Sequence, residues 1–326
     1  PNVARSSVDV AKEVIKLKAE NVDGIVIDLR NNGGGSLYDV VQMVGLFIEE
    51  GPIVQVKDRE GNPMVLRDKD KSVLYNGPLA VLVNEFSASA SEIFAAAIQD
   101  YGRGIVLGST STYGKGTVQR AYGLDPNSNF MSSNSDLGSI KLTLQKFYRI
   151  NGGSTQLKGV VPDVVIPDRY EYLEYREKHN PEAMPWDEIK QSAYTKWTSP
   201  IDLQAVKNLS STRIANNPAF KTVQETTNWL SQLKDRPYPL QIDKFKEEQK
   251  KIRSAMANMD SVLKLDEALN LAFLKEDAQR IAADKDKEAR YNQWLSSLSK
   301  DIYLDQAVKA VGDMIHQQNL VKKNGQ

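Results

Sequence analysis

Two short stretches carry residues whose types and spacing could do chemistry. Ser89-Ala90-Ser91-Glu92 opens an apolar run, and Lys115 lies between glycines in Tyr113-Gly114-Lys115-Gly116. A serine nucleophile needs a neighbouring base to take its proton. The chain has 2 histidines, His179 and His316, both far downstream in charged sequence. A histidine-based triad is poorly supplied, whereas a Ser–Lys pair needs no histidine, metal or cysteine. Ser-x-x-Glu is also the signature of a capping box, in which Ser89 only closes the start of a helix. Both readings share a geometry, because a helix N-terminus gathers unpaired N–H groups where negative charge can develop. Ala88 and Ala90 leave room for a substrate backbone, and Ser87 and Ser91 are rivals of Ser89 on these grounds.

For Lys115 to act as a base, burial must pull its pKa down until the amine is neutral near neutral pH. The flanking glycines permit close backbone packing around it. The competing readings are a solvated turn residue and a phosphate ligand. A phosphate loop requires Ser or Thr after the lysine, where this chain has Gly116. Gln119 is placed to orient the amine, or is simply a polar strand residue. Gly33-Gly34-Gly35 reads as a flexible turn, or as an oxyanion hole in which a glycine N–H approaches a substrate carbonyl unobstructed. A dinucleotide loop would need G-x-G-x-x-G instead. Asp100 shares a predicted helix with Ser89 but lies about 16 Å further along its axis. That separation excludes a direct hydrogen bond and leaves an indirect role, orienting a loop or pairing with a cation.

These residues need elements to hold them. Residues 9–20 place Val10, Val14, Ile15 and Leu17 roughly on one helical face. A buried strand at 24–29 ends in the glycine turn, and a helix follows at 36–49. Strand-like runs recur at 52–57, 78–83, 104–108, 139–149 and 159–167, with a helix at 89–101. The 139–149 run alternates Ile140, Leu142 and Leu144 with polar residues, as a half-exposed strand should. Strand–helix–strand order predicts an α/β layer architecture. Beyond about residue 170 glycine almost disappears and charged residues rise. Helical patterns run at 185–197, 200–215, 218–235, 240–257, 262–283 and 303–320, the last with Leu304, Val308, Val311 and Ile315 as a buried stripe. The expected organisation is an α/β unit over 1–168 and an all-α unit over 169–326.

Composition narrows the classes further. At 326 residues two domains are the natural expectation. Lys+Arg and Asp+Glu each number 42, so the balance of charge gives no reason to expect nucleic acid or an anionic membrane as partner. No apolar run approaches the roughly 18–20 residues of a membrane span. The lack of cysteine excludes disulfides, thiolate metal sites and cysteine nucleophiles without fixing a compartment. The chain begins Pro1-Asn2-Val3, with no leader pattern, and reads as a fragment of a longer protein.

Together, VDGIVIDLRNNGGG (22–35), FSASASEIFAAAIQDYGRG (86–104), YGKGTVQ (113–119), FYRINGGSTQLKGVVPDVVIP (147–167) and AMPWDEI (183–189) resemble the carboxyl-terminal processing proteases, S41 serine peptidases with a Ser–Lys dyad. The last two stretches, with YLDQAVKAVGDM (303–314), are similar to the tail-specific protease branch, whose core precedes a charged helical domain. The resemblance implies a ClpP/crotonase-like α/β protease core followed by an all-α C-terminal domain. It also implies Ser89 as nucleophile, Lys115 as general base and Gln119 as its support. The oxyanion donors fall on the N–H groups of Ala90 and of Gly34 or Gly35. An aspartate that some descriptions of the family group with the dyad falls on Asp100. The loop before the lysine, GSTSTYGKG (108–116), is one residue longer than the usual form, and the family's PDZ domain and first piece of the core do not occur in this chain.

The function so implied is endoproteolysis of proteins recognised through apolar C-terminal tails, with or without an adaptor protein. It needs neither cofactor nor metal, and its setting is the periplasm or bacterial cell envelope. Two other classes predict different behaviour. A crotonase-like acyl-CoA enzyme would bind CoA and tolerate loss of Ser89. A non-catalytic scaffold would rest on the helical domain and leave the truncated form inactive.

Overall fold

The computed structural model describes residues 5–124, 138–234 and 236–324; the opening Pro1-Asn2-Val3 and Asp235, the end of one predicted helix, lie outside them. Residues 79–83, Leu-Ala-Val-Leu-Val, are apolar at every position, the pattern of a strand covered on both faces. They form β4 (Leu79–Val83), buried throughout. It lies in a parallel sheet between β1 (Ile25–Asp28) and β5 (Ile105–Gly108), with β8 (Val164–Val165) beyond β5. Because side chains alternate along a strand, Leu79, Val81 and Val83 enter one core, and Ala80 and Leu82 enter another. The first core is covered by α1 (Ser6–Ala19), α2 (Leu37–Gly45) and α3 (Ala90–Tyr101).

The second core is filled by the C-terminal half. There α4 (Leu203–Asn216), α5 (Pro218–Gln232), α6 (Ile242–Val262) and α9 (Ile302–Asn324) contribute Val206, Phe220, Met259 and Met314. The helical half is thus the layer on the reverse face of the parallel sheet. On α9 the buried positions are Ile302, Ala307, Ala310, Val311 and Met314, while Val308 is 44% exposed. The stripe predicted through Val308 is therefore rotated: the two alanines let the helix lie close over β4 and β1. Ile15 of α1 likewise points outward at 55% exposure, leaving Val14 as the buried anchor.

A second, antiparallel sheet has the order β3-β2-β7-β6, formed by β2 (Gly51–Lys57), β3 (Pro63–Asp68), β6 (Thr117–Gly123) and β7 (Ser139–Tyr148). The sequence reading missed β3 and β6, whose mostly exposed faces give no apolar alternation. On β7 only Lys146, Phe147 and Tyr148 are buried. Ile140, Leu142 and Leu144 remain exposed, so the alternation there does not mark a core face.

Two predicted helices do not form. Residues 185–197 run as an extended strap, because their polar groups bond to the core instead of to one another. Ile189 N–H donates to Gly152 O at 2.9 Å, Ser192 N–H to Ile150 O at 2.9 Å, and the Trp186 indole to Ser154 O at 2.9 Å. Of 262–283, only Val262, the end of α6, and α7 (Lys275–Ala282) are helical. Leu265 and Leu269 N–H groups go instead to Lys300 O and Ser299 O. Between α7 and α9 lies α8 (Lys285–Leu298), unpredicted because it buries no residue and so carries no apolar stripe.

Candidate active site

The chain passes from β4 to α3 through a tight turn that sorts its three serines. Ser87 Oγ accepts from Asn84 N–H at 2.9 Å and donates to Leu29 O at 2.8 Å, so this buried hydroxyl ties the turn to the end of β1. Ser91 is buried in the first turn of α3. Ser89 is partly exposed and sits at φ 58°, ψ −114°. Such a conformation costs about 1–3 kcal/mol in a residue with a side chain and persists only where the surroundings impose it. Ser89 is the only one of the three presented at the surface of the turn.

The glycine turn packs onto this point. Gly34 has φ +96°, and a Cβ there would lie 2.6 Å from Ala88 O and 2.8 Å from both Ala90 N and Ser89 Cβ. Asn32 holds the contact: its carbonyl accepts from Ala88 N–H and its Oδ1 from Gly34 N–H, each at 3.0 Å. Asn31 and Asn84 exchange two further hydrogen bonds, 2.9 and 3.0 Å. The Gly34 N–H is therefore engaged within the turn. Those of Gly35 and Ala90 have no acceptor among the described residues, and the space in front of Gly35 is open. Gly34→Ala is expected to lower any turnover that depends on Ser89 by about tenfold or more, because the methyl must push the turn off Ser89. Gly33→Ala, with open space at its Cβ, should lose far less; steady-state kinetics of the two variants checks this.

The lysine loop requires its glycines for a comparable reason. Gly114 has φ +94°, and a Cβ on Gly116 would lie 2.6 Å from Gln156 N. Leu157 N–H donates to Gly114 O at 2.8 Å, and Gly116 N–H to Gln156 Oε1 at 2.8 Å, so the loop lies flat on the 154–157 turn. Lys115 is half-buried. Burial lowers its pKa, Lys141 lowers it further, and Glu177 and Glu92 oppose the shift. No hydrogen bond joins Ser89 Oγ to Lys115 Nζ among the described residues.

Glu92, fully buried, joins the two loops. Its Oε2 accepts from Ser89 N–H at 2.7 Å and Lys115 N–H at 3.0 Å; its Oε1 accepts from Thr112 Oγ1 at 2.6 Å and Gly114 N–H at 2.7 Å. Two nitrogens sharing one oxygen lie no further apart than those two bonds laid end to end, so the backbones of Ser89 and Lys115 are neighbours. The sequence reading took Glu92 as a capping-box partner alone. The only signal of its second task was a carboxylate set directly before the apolar run 93–98.

The other candidate positions lie further out. Asp100 accepts from Arg149 Nη2 at 2.6 Å, Arg149 Nε at 3.1 Å and Asn151 Nδ2 at 3.0 Å, joining the far end of α3 to the segment after β7. Gln119 is exposed, and its amide donates to Thr143 Oγ1 at 3.4 Å. Among the described residues no group of three or more His, Asp or Glu side chains gathers as a metal site. The arrangement supplies a presented hydroxyl, an amine with lowered pKa and two N–H groups without acceptors among the described residues, which could serve acyl transfer.

Known proteins match both halves of the chain. The model of peptidase family S41 matches residues 2–166, and that of the C-terminal domain of tail specific protease matches 170–316. The tail-specific protease of Haemophilus influenzae is 37% identical over 94% of this chain and 42% of its own length. A carboxy-terminal processing protease of Bacillus subtilis, CtpB, is 36% identical over 50% of this chain and 32% of its own length. Among solved structures, a photosystem II D1 C-terminal processing protease is 30% identical with a TM-score of 0.43, covering 53% of this chain and 42% of that one. The chain thus spans less than half the length of these relatives. By the match over its first half, the chain belongs to peptidase family S41, with an α/β core and a helical C-terminal region of the tail-specific type.

Proposed function

We propose that this protein is a serine endopeptidase of the carboxyl-terminal processing type, working through a Ser89–Lys115 dyad. The observation that carries this reading is the shared carboxylate of Glu92, which holds the backbones of Ser89 and Lys115 side by side while Gly34 packs on Ser89. Neutral Lys115 takes the Ser89 proton as Oγ attacks the scissile carbonyl. The N–H groups of Ala90 and Gly35 receive the oxyanion, an interaction worth roughly 3–4 kcal/mol per donor. The C–N bond then breaks, Lys115 returns its proton to the leaving amine, and water releases the acyl group from Ser89. Gln119 supports the lysine indirectly, by tying the following strand to Thr143 of β7, and Asp100 acts at a distance by holding Arg149.

Residues 1–168 carry the chemistry; within 169–326 the helices from Leu203 onward form the partner layer, while the 185–197 strap lies on the core. The substrates are proteins with apolar C-terminal tails, delivered with or without an adaptor, in the periplasm. No described helix is long and apolar enough to cross a membrane. The full-length enzyme, given an unstructured protein ending in an apolar tail, is expected to cut it internally. Cleavage should be at least about tenfold faster than of the same protein with a charged tail, read by mass spectrometry of the products. No cleavage of either would sink the peptidase reading; equal cleavage of both would sink only the tail preference.

A further inference from the structure

We propose that Asp301, in the helical layer, is a positioning residue for the oxyanion turn and acts through Arg30. The proposal rests on the peptidase reading above. Arg30 immediately precedes the Asn31–Gly35 turn. Its Nη2 donates to Asp28 Oδ2 and to Asp301 Oδ2, each at 2.7 Å, and its Nε donates to both Asp28 oxygens at 3.0 and 3.1 Å. The two carboxylates do different work. Asp28 and Arg30 belong to one loop, so their pairing fixes that loop only with respect to itself. Asp301 comes from 271 residues away and fixes the loop to a separate layer.

That anchor is itself held. Asp301 Oδ1 caps α9, accepting from Tyr303 N–H at 2.9 Å and Leu304 N–H at 3.0 Å. Tyr303 sets its ring against the Arg30 guanidinium, 5.9 Å to the centroid, and donates its hydroxyl to Pro167 O at 3.0 Å. The first turn of α9 therefore grips Arg30 and the chain's exit from the α/β core together. The path onward from Arg30 is short. Asn31, at φ 59°, is locked to Asn84, and Asn32 carries the N–H groups of Ala88 and Gly34. Any swing of Arg30 moves this turn and changes the separation of the Gly35 and Ala90 donors. A misplacement of about 1 Å at such a point can cost on the order of 100-fold in rate.

Asp301→Asn tests this cleanly, because asparagine caps a helix as well as aspartate does while removing the charge that faces Arg30. In the full-length enzyme kcat is expected to fall about tenfold with KM within about twofold. Labelling of Ser89 by a fluorophosphonate, whose phosphoryl oxygen occupies the same oxyanion site, should slow in parallel. Asp313→Asn breaks the Arg213–Asp313 pair within the helical layer, 2.5 Å, and serves as control for loosening of α9; its labelling rate should match wild type. Should Asp301→Asn fail to fold, Asp301→Ser, which also caps, carries the same expectations. Wild-type labelling and kcat in Asp301→Asn would overturn the proposal, as would an equal loss in Asp313→Asn. A wild-type enzyme that is not labelled at Ser89 would overturn the serine reading itself, and this proposal with it.

Discussion

Ser89→Ala and Lys115→Ala, each made in the full-length enzyme, are expected to reduce peptide cleavage by about 10⁴-fold or more, with no large change in thermal midpoint. Neither side chain is needed for the fold. Ser89 is partly exposed, and the groups that tie its turn are Ser87 Oγ, Asn32 and Glu92. The Lys115 loop is held through its backbone by Glu92, Gln156 and Leu157. The double variant should be no worse than either single one, since a nucleophile and its base act as a unit. Lys115→Arg separates the two tasks a cation can have here. It keeps the positive charge but cannot surrender a proton near neutral pH, so it should be as inactive as Lys115→Ala. Substantial activity in Lys115→Arg would show that Lys115 serves only as a charge. The pH dependence has a defined sign: burial depresses the lysine pKa, so the neutral, competent amine becomes more abundant as pH rises, and kcat/KM should rise with it.

Ser89 and Lys115 were legible as candidates because they sit in short, local patterns. A small-residue turn before a helix and a lysine between glycines are each visible within ten residues. The choice between Gly34 and Gly35 was not, because it depends on Asn32 Oδ1 taking the Gly34 N–H, a bond set by the three-dimensional turn. Helix geometry alone set Asp100 apart from Ser89, but its partner Arg149 lies on another element. The α/β order was legible from apolar runs such as 79–83. The strap at 185–197 was not, because a helical period in its side chains says nothing of core groups waiting to bond its backbone. Nor did the charged composition after residue 170 reveal that the helical half roofs the same sheet. That follows from Ala307 and Ala310, small residues that carry little apolar signal and yet permit the closest approach.

Glu92→Gln is the second large effect, and it is larger than its single-atom change suggests. Four donors converge on two oxygens: Thr112 Oγ1 and Gly114 N–H on one, Ser89 N–H and Lys115 N–H on the other. Whichever oxygen becomes an amide nitrogen, two donors then face another donor in a site without water access. Each buried group so orphaned costs roughly 1–3 kcal/mol, so a loss of about 3 kcal/mol in stability is expected by denaturant titration. On the proposed mechanism activity should fall by about 10²-fold or more, because Glu92 sets the spacing of the Ser89 and Lys115 backbones. Burial pushes the Glu92 carboxyl up to about 7 from its ordinary 4.5, against the pull of its four donors. The native state therefore holds this proton more tightly than the unfolded chain does. The stabilisation from that linkage is present below about pH 4.5 and is lost as pH rises through about 7. The ionised form, which accepts from all four donors at once, is the one that aligns Ser89 with Lys115. Wild-type kcat/KM should therefore rise through two steps, one near pH 7 from Glu92 and one from Lys115. In Glu92→Gln the residual activity should keep only the lysine step; a surviving step near pH 7 would assign that titration to another group.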